Sequence, residues 1–189
     1  QGLVLAPTRE LGQQIAEQLE IFSKHMDKVS VLPVYGGAAI TNQMRALKRT
    51  QHVIIATPGR LLDLIKRRAV KLERLRFLVL DEADEMLNMG FKEELDAILS
   101  HTPEEKLTWL FSATMPNEIK RIVAKYMDSP AEVRINAQTK VNTNIEHQYI
   151  ATKASDKTEA LMRILDINPE IRAVVFCRTK RDTQGLAEQ

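Results

Sequence analysis

Several residue types are scarce in this sequence of 189 residues, and each scarcity argues against a class of protein. The single cysteine, Cys177, excludes an internal disulfide and favours a reducing compartment such as the cytoplasm. Four scattered histidines lack the spacing of metal ligands, so we predict no zinc site. Aromatic residues make up only 5%, which argues against a base-stacking platform. No apolar run approaches the ~20 residues that a membrane-spanning helix needs.

The chain also lacks a large excess of charge of either sign. The chain carries 27 basic and 25 acidic residues, so its formal net charge is only +2. Any attraction for nucleic acid must therefore come from local clusters and oriented backbone amides, since the protein has no general positive field. A hydrophobic content of 44% is enough to bury a sizeable core.

Short apolar runs alternate along the chain with longer amphipathic segments. In the first of these segments Leu11, Ile15, Leu19 and Phe22 fall on one face of a helix. The runs are apolar without alternation, and most are followed by a helix, which predicts an open α/β fold with a parallel sheet covered on both faces. We predict strands at 2–6, 29–34, 53–56, 77–80, 108–111 and 132–135.

The alternating pattern stops at a polar stretch, which we interpret as a linker over 136–145. After it we predict a strand at 146–151, a helix at 156–166, a strand at 173–176 and the start of another helix. Roughly 45 residues are too few to complete an α/β domain. The expected organisation is thus a first domain over 1–135, the linker, and the beginning of a second domain over 146–189.

The sharpest chemical signal is Asp81-Glu82-Ala83-Asp84, which directly follows an apolar strand. Acids at the carboxyl end of a parallel strand lie where open α/β sheets bind ligands. One carboxylate can hold Mg²⁺, and the next can polarise a water that attacks a phosphate. The alternative is a group of solvated acids that favour the N-terminus of the next helix.

Five further motifs accompany the acidic one, and together they resemble the DEAD-box RNA helicase family. The resemblance extends over essentially the whole chain, and the sequences of the motifs are most similar to those of bacterial members. In chain order they are Ala6-Pro7-Thr8-Arg9-Glu10-Leu11, Gly36-Gly37, Thr57-Pro58-Gly59-Arg60, Asp81-Glu82-Ala83-Asp84, Ser112-Ala113-Thr114 and Val175-Phe176-Cys177-Arg178-Thr179.

The resemblance implies two RecA-like domains, ATP and Mg²⁺ as cofactors, and a catalytic set within the described motifs. Asp81 is expected to hold Mg²⁺, through water, and Glu82 to position and activate the attacking water, so both contact the nucleotide. Asp84, Ser112 and Thr114 are expected to connect ATP hydrolysis to RNA binding. The alternative for Ser112 and Thr114 is ordinary capping of the helix that begins near Pro116.

The resemblance also implies a set of residues that bind RNA. Most of them fall between a strand and a helix, where free N–H groups and a hydroxyl can seat a phosphate. Arg9 and Arg60 could add charge, or either could pin a neighbouring loop through a carboxylate. The expected set is Pro7, Thr8, Arg9, Gly36, Gly37, Thr57, Pro58, Gly59, Arg60, Phe176, Arg178 and Thr179.

The implied function is an ATP-dependent RNA helicase that remodels short duplexes through backbone contacts, with little dependence on base sequence. RNA is the expected partner, accessory proteins are not specified, and no membrane association is expected. A non-catalytic RNA- or partner-binding module that keeps the fold remains an alternative. The residues present in the motifs Asp81–Asp84 and Pro7–Leu11 disfavour a DNA-acting helicase of superfamily 2.

The first prediction concerns ATP hydrolysis by these 189 residues. None of the seven glycines is followed by lysine, so the phosphate-gripping P-loop motif does not occur in the sequence. We expect that motif to precede Gln1 and the arginine finger to follow Gln189. The 189-residue chain should therefore release no phosphate from ATP with RNA present. RNA-stimulated release above a mock purification would contradict this expectation.

Overall fold

The computed structural model describes residues 1–135 and 145–188, which fall into two compact units. The first unit comprises Gln1–Glu132 and the second Val133–Gln189, and each is described by itself. Almost all of the predicted linker lies outside the described residues. The proposed domain boundaries therefore stay a prediction. No helix in the described part of the chain is both long and apolar enough to cross a membrane.

The first unit is built on a five-stranded sheet in which every neighbouring pair is parallel. Its spatial order is β2-β3-β1-β4-β5, so the first strand in the chain occupies the centre. This confirms the predicted α/β fold. The strands are β1 (Gly2–Leu5), β2 (Val31–Val34), β3 (Val53–Ala56), β4 (Phe77–Leu80) and β5 (Leu107–Leu110).

Helices fill the connections between these strands, as parallel crossovers require. The second unit contributes two more helices and a short 3₁₀ turn at Ala154–Asp156. The helices are α1 (Arg9–Ser23), α2 (Ile40–Leu47), α3 (Pro58–Lys66), α4 (Ala83–Asn88), α5 (Lys92–Ser100), α6 (Asn117–Tyr126), α7 (Lys157–Ile167) and α8 (Lys180–Ala187).

Alternate side chains of the central strands enter two separate cores, one on each face of the sheet. Leu3 and Leu5 of β1 join the larger core, which also contains buried residues of α3, α5 and α6. Val4, between them, joins a smaller core formed with Ala16 of α1 and Ile55 of β3. A strand apolar on both faces is therefore what this architecture needs.

The sheet is less well covered at β5, its outer strand. Trp109 is 48% exposed and Leu107 is 59% exposed, whereas the place of Trp109 in an apolar run predicts a core residue. The indole instead stacks on Phe77 of β4, with ring centroids 5.7 Å apart. Phe22, predicted on the packed face of α1, is also exposed. Position on a strand or helix does not reveal whether another element covers that place.

Three strand predictions are wrong. Residues 132–135, 146–151 and 173–176 have no strand assignment in the structure. A strand forms only where a neighbouring strand completes its ladder of hydrogen bonds. The sheet of the first unit is bounded by β2 and β5, and the described residues of the second unit form no sheet. Apolar, β-branched composition favours strand conformation but cannot supply that neighbour.

A prediction of stability follows from the setting of Gly12 within α1. A Cβ added there would lie 3.6 Å from Ile55 Cγ2, an ordinary van der Waals contact. We expect Gly12→Ala to raise the free energy of unfolding by ~1 kcal/mol, because alanine lowers the entropy cost of forming the helix. Denaturant titration of the 189-residue chain measures the effect.

Gly37→Ala is the matched control, since Gly37 has a φ of +84°. There alanine should destabilise the chain by about 1 kcal/mol or more, because its Cβ disfavours the left-handed region. A loss of stability in Gly12→Ala would show that α1 packs too closely on β3 to accept a methyl group.

Candidate functional site

The turns that follow the five strands all lie at one edge of the sheet, because the strands are parallel. The strand order divides this edge into two parts. The turns after β2, β3 and β1, with the first residues of α1 and α3, contain the predicted RNA-binding residues of the first unit. The turns after β4 and β5, with the first residues of α4, contain the acidic and Ser-Ala-Thr motifs and form the acidic part of the edge. The central strand β1 pairs with β3 on one side and β4 on the other, and so joins the two parts.

Asp81 and Glu82 form the turn between β4 and α4. The Asp81 N–H donates to Leu5 O of the neighbouring strand at 3.0 Å, which continues the ladder one residue beyond β4. Glu82 then adopts a left-handed conformation, with a φ of 47°, which is uncommon for a residue with a side chain. Its N–H donates to Asp81 Oδ1 at 3.0 Å, and its own side chain is exposed.

Asp84 connects the acidic turn to the turn after β5. Its Oδ2 accepts two hydrogen bonds from Thr114, one from the backbone N–H at 2.9 Å and one from the hydroxyl at 2.7 Å. Ser112 Oγ donates to Thr114 O at 2.6 Å, which tightens the same turn. A second connection runs from the Ala83 N–H to Phe111 O at 3.0 Å. Hydrogen bonds from Thr114 and Ala83 therefore join the two motifs directly.

These bonds determine the ionisation of Asp84, which is only 8% exposed. Burial alone raises its pKa, since a carboxylate loses solvation in the protein. The opposing hydrogen bonds from Thr114, with a contribution from the Ser112 hydroxyl, outweigh burial and hold the pKa of Asp84 below its usual value. Asp84 is consequently a carboxylate at neutral pH, and it acts as an acceptor only.

The capping alternative for the Ser-Ala-Thr motif does not describe this structure. Helix α6 begins at Asn117, and its N-cap residue, Pro116, makes no side-chain capping bond. The hydroxyls of Ser112 and Thr114 bind Thr114 O and Asp84 instead. Similarly, no side chain caps α4, although Asp84 lies in its first turn.

The turn after β1 combines a capped helix with an exposed arginine. Thr8 is the N-cap of α1, and its hydroxyl accepts from the Leu11 N–H at 3.2 Å. Arg9 is exposed and pairs with Glu10, its neighbour in sequence. That hydrogen bond lowers the pKa of Glu10. The guanidinium also lies close to the next turn, since a Cβ placed on Gly37 would be 3.5 Å from Arg9 Nη1.

The turns after β2 and β3 are connected by Arg60. Arg60 Nη1 donates to Ala38 O at 3.1 Å and to Gln43 Oε1 at 2.8 Å. Thr57 is the N-cap of α3 but makes no capping bond through its hydroxyl, and Pro58 follows at the first helical position. Gly59 is exposed, whereas Pro7 and Pro58 are buried.

The structure thus brings nine of the twelve predicted RNA-binding residues to one part of the edge. The other three, Phe176, Arg178 and Thr179, belong to the second unit. Phe176 is exposed, and Thr179 caps α8 by accepting from the Asp182 N–H at 3.1 Å. Their assignment to RNA remains a prediction.

Sequence reasoning missed Gln43, which lies at the centre of the contacts around Arg60. Gln43 is 8% exposed, and its Nε2 donates to Tyr35 O at 3.1 Å. A signal was present in the sequence. Ile40, Met44 and Leu47 form the apolar face of α2, and Gln43 occupies a position on that same face. A polar residue at a core-facing position predicts a specific hydrogen-bond partner.

The acidic part of the edge offers few protein ligands for a metal ion. Among the described residues, no three histidine, cysteine or acidic side chains converge on a possible metal position. Mg²⁺ commonly keeps several waters and is held by one or two carboxylates together with substrate phosphates. Asp81, half-buried at the end of β4, fits that role, and Glu82 lies next to it.

Comparison with known proteins identifies the relatives of this chain. Residues 1–122 match the family model described as DEAD/DEAH box helicase. The chain is 47% identical over 188 residues to the DEAD-box ATP-dependent RNA helicase CshA of Bacillus cereus, and 49% identical over 188 residues to the protein of that name from Geobacillus kaustophilus. Both matches cover 100% of this chain but only 36% and 40% of those proteins.

A solved structure gives the same result. The crystal structure of a DEAD box protein from the hyperthermophile Methanococcus jannaschii matches with a TM-score of 0.68 and 41% identity. The match covers 100% of this chain and 50% of that one. The chain therefore spans about a third to a half of the length of these relatives.

The bonds to Asp84 predict a pH-dependent change in stability for Thr114→Val. Because the folded-state pKa of Asp84 is lowered, its contribution to stability is complete above the unfolded-state pKa and is lost as pH falls through the folded-state pKa. Removing the Thr114 hydroxyl should cost about 1 kcal/mol at pH 7 and progressively less in acid. Thermal unfolding of the 189-residue chain across this range measures the cost.

Thr114→Ser is the control, since it keeps a hydroxyl that can donate to Asp84. It should retain most of the stability at pH 7. An equal loss for Thr114→Val at neutral and acid pH would contradict the hydrogen bond to an ionised Asp84.

Proposed function

The chain belongs to the DEAD/DEAH box helicase family, and on this premise we propose that it is part of an ATP-dependent RNA helicase. The parent protein hydrolyses ATP while it locally separates RNA duplexes, with little regard to their base sequence. The observation that carries the proposal is the pair of hydrogen bonds from Thr114 to Asp84, which join the two motifs of the acidic part of the edge.

In the proposed reaction, ATP bound with Mg²⁺ supplies the phosphate bond that is broken. Asp81 holds the magnesium ion through water, and Glu82 orients the attacking water and accepts its proton. The conformation of these two adjacent residues supports the roles. The Glu82 N–H donates to Asp81 Oδ1, and the Glu82 side chain is exposed. Asp84, with Thr114 and Ser112, transmits changes at the nucleotide to the neighbouring strand turn.

RNA is proposed to bind the turns after β1, β2 and β3. Their exposed Arg9, Gly36, Gly37 and Gly59 offer charge and accessible backbone rather than base-sized pockets. Contacts to phosphate and sugar position a strand without reading its sequence. Arg60 extends the same surface, and the predicted contribution of Phe176, Arg178 and Thr179 comes from the second unit. We propose a cytoplasmic location on the same family basis.

The proposal predicts the behaviour of Glu82→Gln in the full-length protein. Glutamine keeps the shape of the side chain but cannot accept the proton of water. ATP and RNA should still bind, whereas RNA-stimulated turnover should fall by a factor of order 10² or more. Phosphate release and equilibrium binding of ATP and RNA measure the two effects separately.

Glu85→Gln is a matched control, because Glu85 is an exposed carboxylate in the first turn of α4, three residues after Glu82. Its turnover should remain near that of the unmodified protein. Normal turnover in Glu82→Gln would mean that Glu82 is not the catalytic base. No ATP turnover in the unmodified full-length protein would favour the non-catalytic RNA- or partner-binding module instead.

A further inference from the structure

Gln43 joins the turn after β2 to the turn after β3 through a single buried amide. Its Nε2 donates to Tyr35 O at 3.1 Å, and its Oε1 accepts from Arg60 Nη1 at 2.8 Å. Arg60 Nη1 also donates to Ala38 O at 3.1 Å. The loop that contains Gly36 and Gly37 is therefore held at both ends, at Tyr35 by Gln43 and at Ala38 by Arg60.

The same loop is also held from the direction of α1. Gln13 Nε2 donates to the Tyr35 hydroxyl at 2.8 Å, and the Arg9 guanidinium lies against Gly37. Side chains from α1, α2 and α3 thus converge on one loop. Of the glutamines that do so, Gln43 is the buried one, at 8% exposure, whereas Gln13 is exposed.

The contacts of Arg60 limit how it can meet a phosphate. Ala38 O and Gln43 Oε1 use both N–H groups of Nη1, so a phosphate has to be bound by Nε and Nη2. A guanidinium is planar, and fixing one nitrogen therefore fixes the direction of the other two. Gln43 consequently determines where the remaining donors of Arg60 point, without contacting a ligand itself.

We infer that Gln43 is a positioning residue for RNA, which sets the Gly36-Gly37 loop and the Arg60 guanidinium as one preformed backbone-binding surface. This inference rests on the proposed RNA-binding function of the three turns. The general reason is preorganisation, since a surface whose donors are already fixed loses less conformational entropy when it binds.

The test uses the full-length protein and two single-stranded RNAs of unrelated sequence, at several salt concentrations. Gln43→Met keeps the length and approximate volume of the side chain but removes both of its hydrogen bonds. We expect about tenfold weaker binding, alike for the two RNAs. The slope of log affinity against log salt should also flatten, by about one unit or less, and Arg60→Ala is expected to flatten it by a similar amount.

Gln51→Met is the matched control. Gln51 is a partly buried glutamine that, like Gln43, makes two side-chain hydrogen bonds: it accepts from Ser30 Oγ at 2.6 Å and donates to Ala46 O at 2.9 Å. It precedes β3 and so lies at the opposite edge of the sheet. Its replacement should lower the unfolding temperature about as much as Gln43→Met does, and leave RNA affinity and the salt slope unchanged.

A double-mutant cycle separates positioning from independent effects. If Gln43 acts through Arg60, the double variant Gln43→Met, Arg60→Ala should bind RNA no more weakly than Arg60→Ala alone. The RNA affinity of Arg60→Lys provides a further test in which Gln43 is unchanged. Lysine keeps the charge but not the planar fork, so its RNA affinity should fall nearly as far as that of Arg60→Ala.

The outcomes distinguish failure of the inference from failure of the function on which it rests. Unchanged RNA affinity in Arg60→Ala would refute the proposed RNA contact of this turn. Weaker binding in Arg60→Ala with normal binding in Gln43→Met would refute the positioning role alone. If Gln43→Met does not fold, near-normal RNA affinity in Arg60→Lys refutes positioning, and a loss like that of Arg60→Ala supports it.

Discussion

The in-register pairing of β1 with β3 and β4 is the constraint on which the rest of the first unit depends. Leu5 lies opposite Ala56 on one side and Leu80 on the other, so three strands end level with one another. Their parallel hydrogen bonds continue into the turns, through Ala6 N–H to Ala56 O and Asp81 N–H to Leu5 O. Motifs far apart in the chain thereby meet at one edge.

Two buried polar side chains at this edge favour one arrangement of the turns around them. Asp84 and Gln43 are the two buried polar or charged residues identified in the described structure, and both are satisfied by hydrogen bonds from a neighbouring turn. A buried polar group without partners is costly, so such residues favour one arrangement of the surrounding loops. Asp84 does this in the acidic part of the edge, and Gln43 does so among the turns after β2 and β3.

The two parts also differ in how they present charge. Asp81 and Glu82 leave carboxylate oxygens at the end of β4, whereas Arg9 and Arg60 occupy turns after β1 and β3. The whole chain is nearly neutral, so this separation is local rather than a property of its overall field. The proposed nucleotide and RNA sites therefore use different groups along one sheet edge.

Much of this arrangement was predictable from sequence. Apolar runs such as 53–56 and 77–80 predicted buried parallel strands, because a strand covered on both faces needs no polar alternation. The motif residues of the first unit lie where the pattern places them, in the turns after the strands and in the first turns of the helices that follow. The roles of Phe176, Arg178 and Thr179, which belong to the second unit, stay predictions.

Other features depended on which elements became neighbours in space. The segment 132–135 has strand composition but lies outside the sheet, and Trp109 is half exposed although it belongs to an apolar strand. Gln43 was visible as a polar residue on an apolar helix face, but its partners Tyr35 and Arg60 belong to other segments. Local sequence determines periodicity and backbone preference, whereas hydrogen-bond partners and exposure depend on long-range packing, which only the tertiary structure decides.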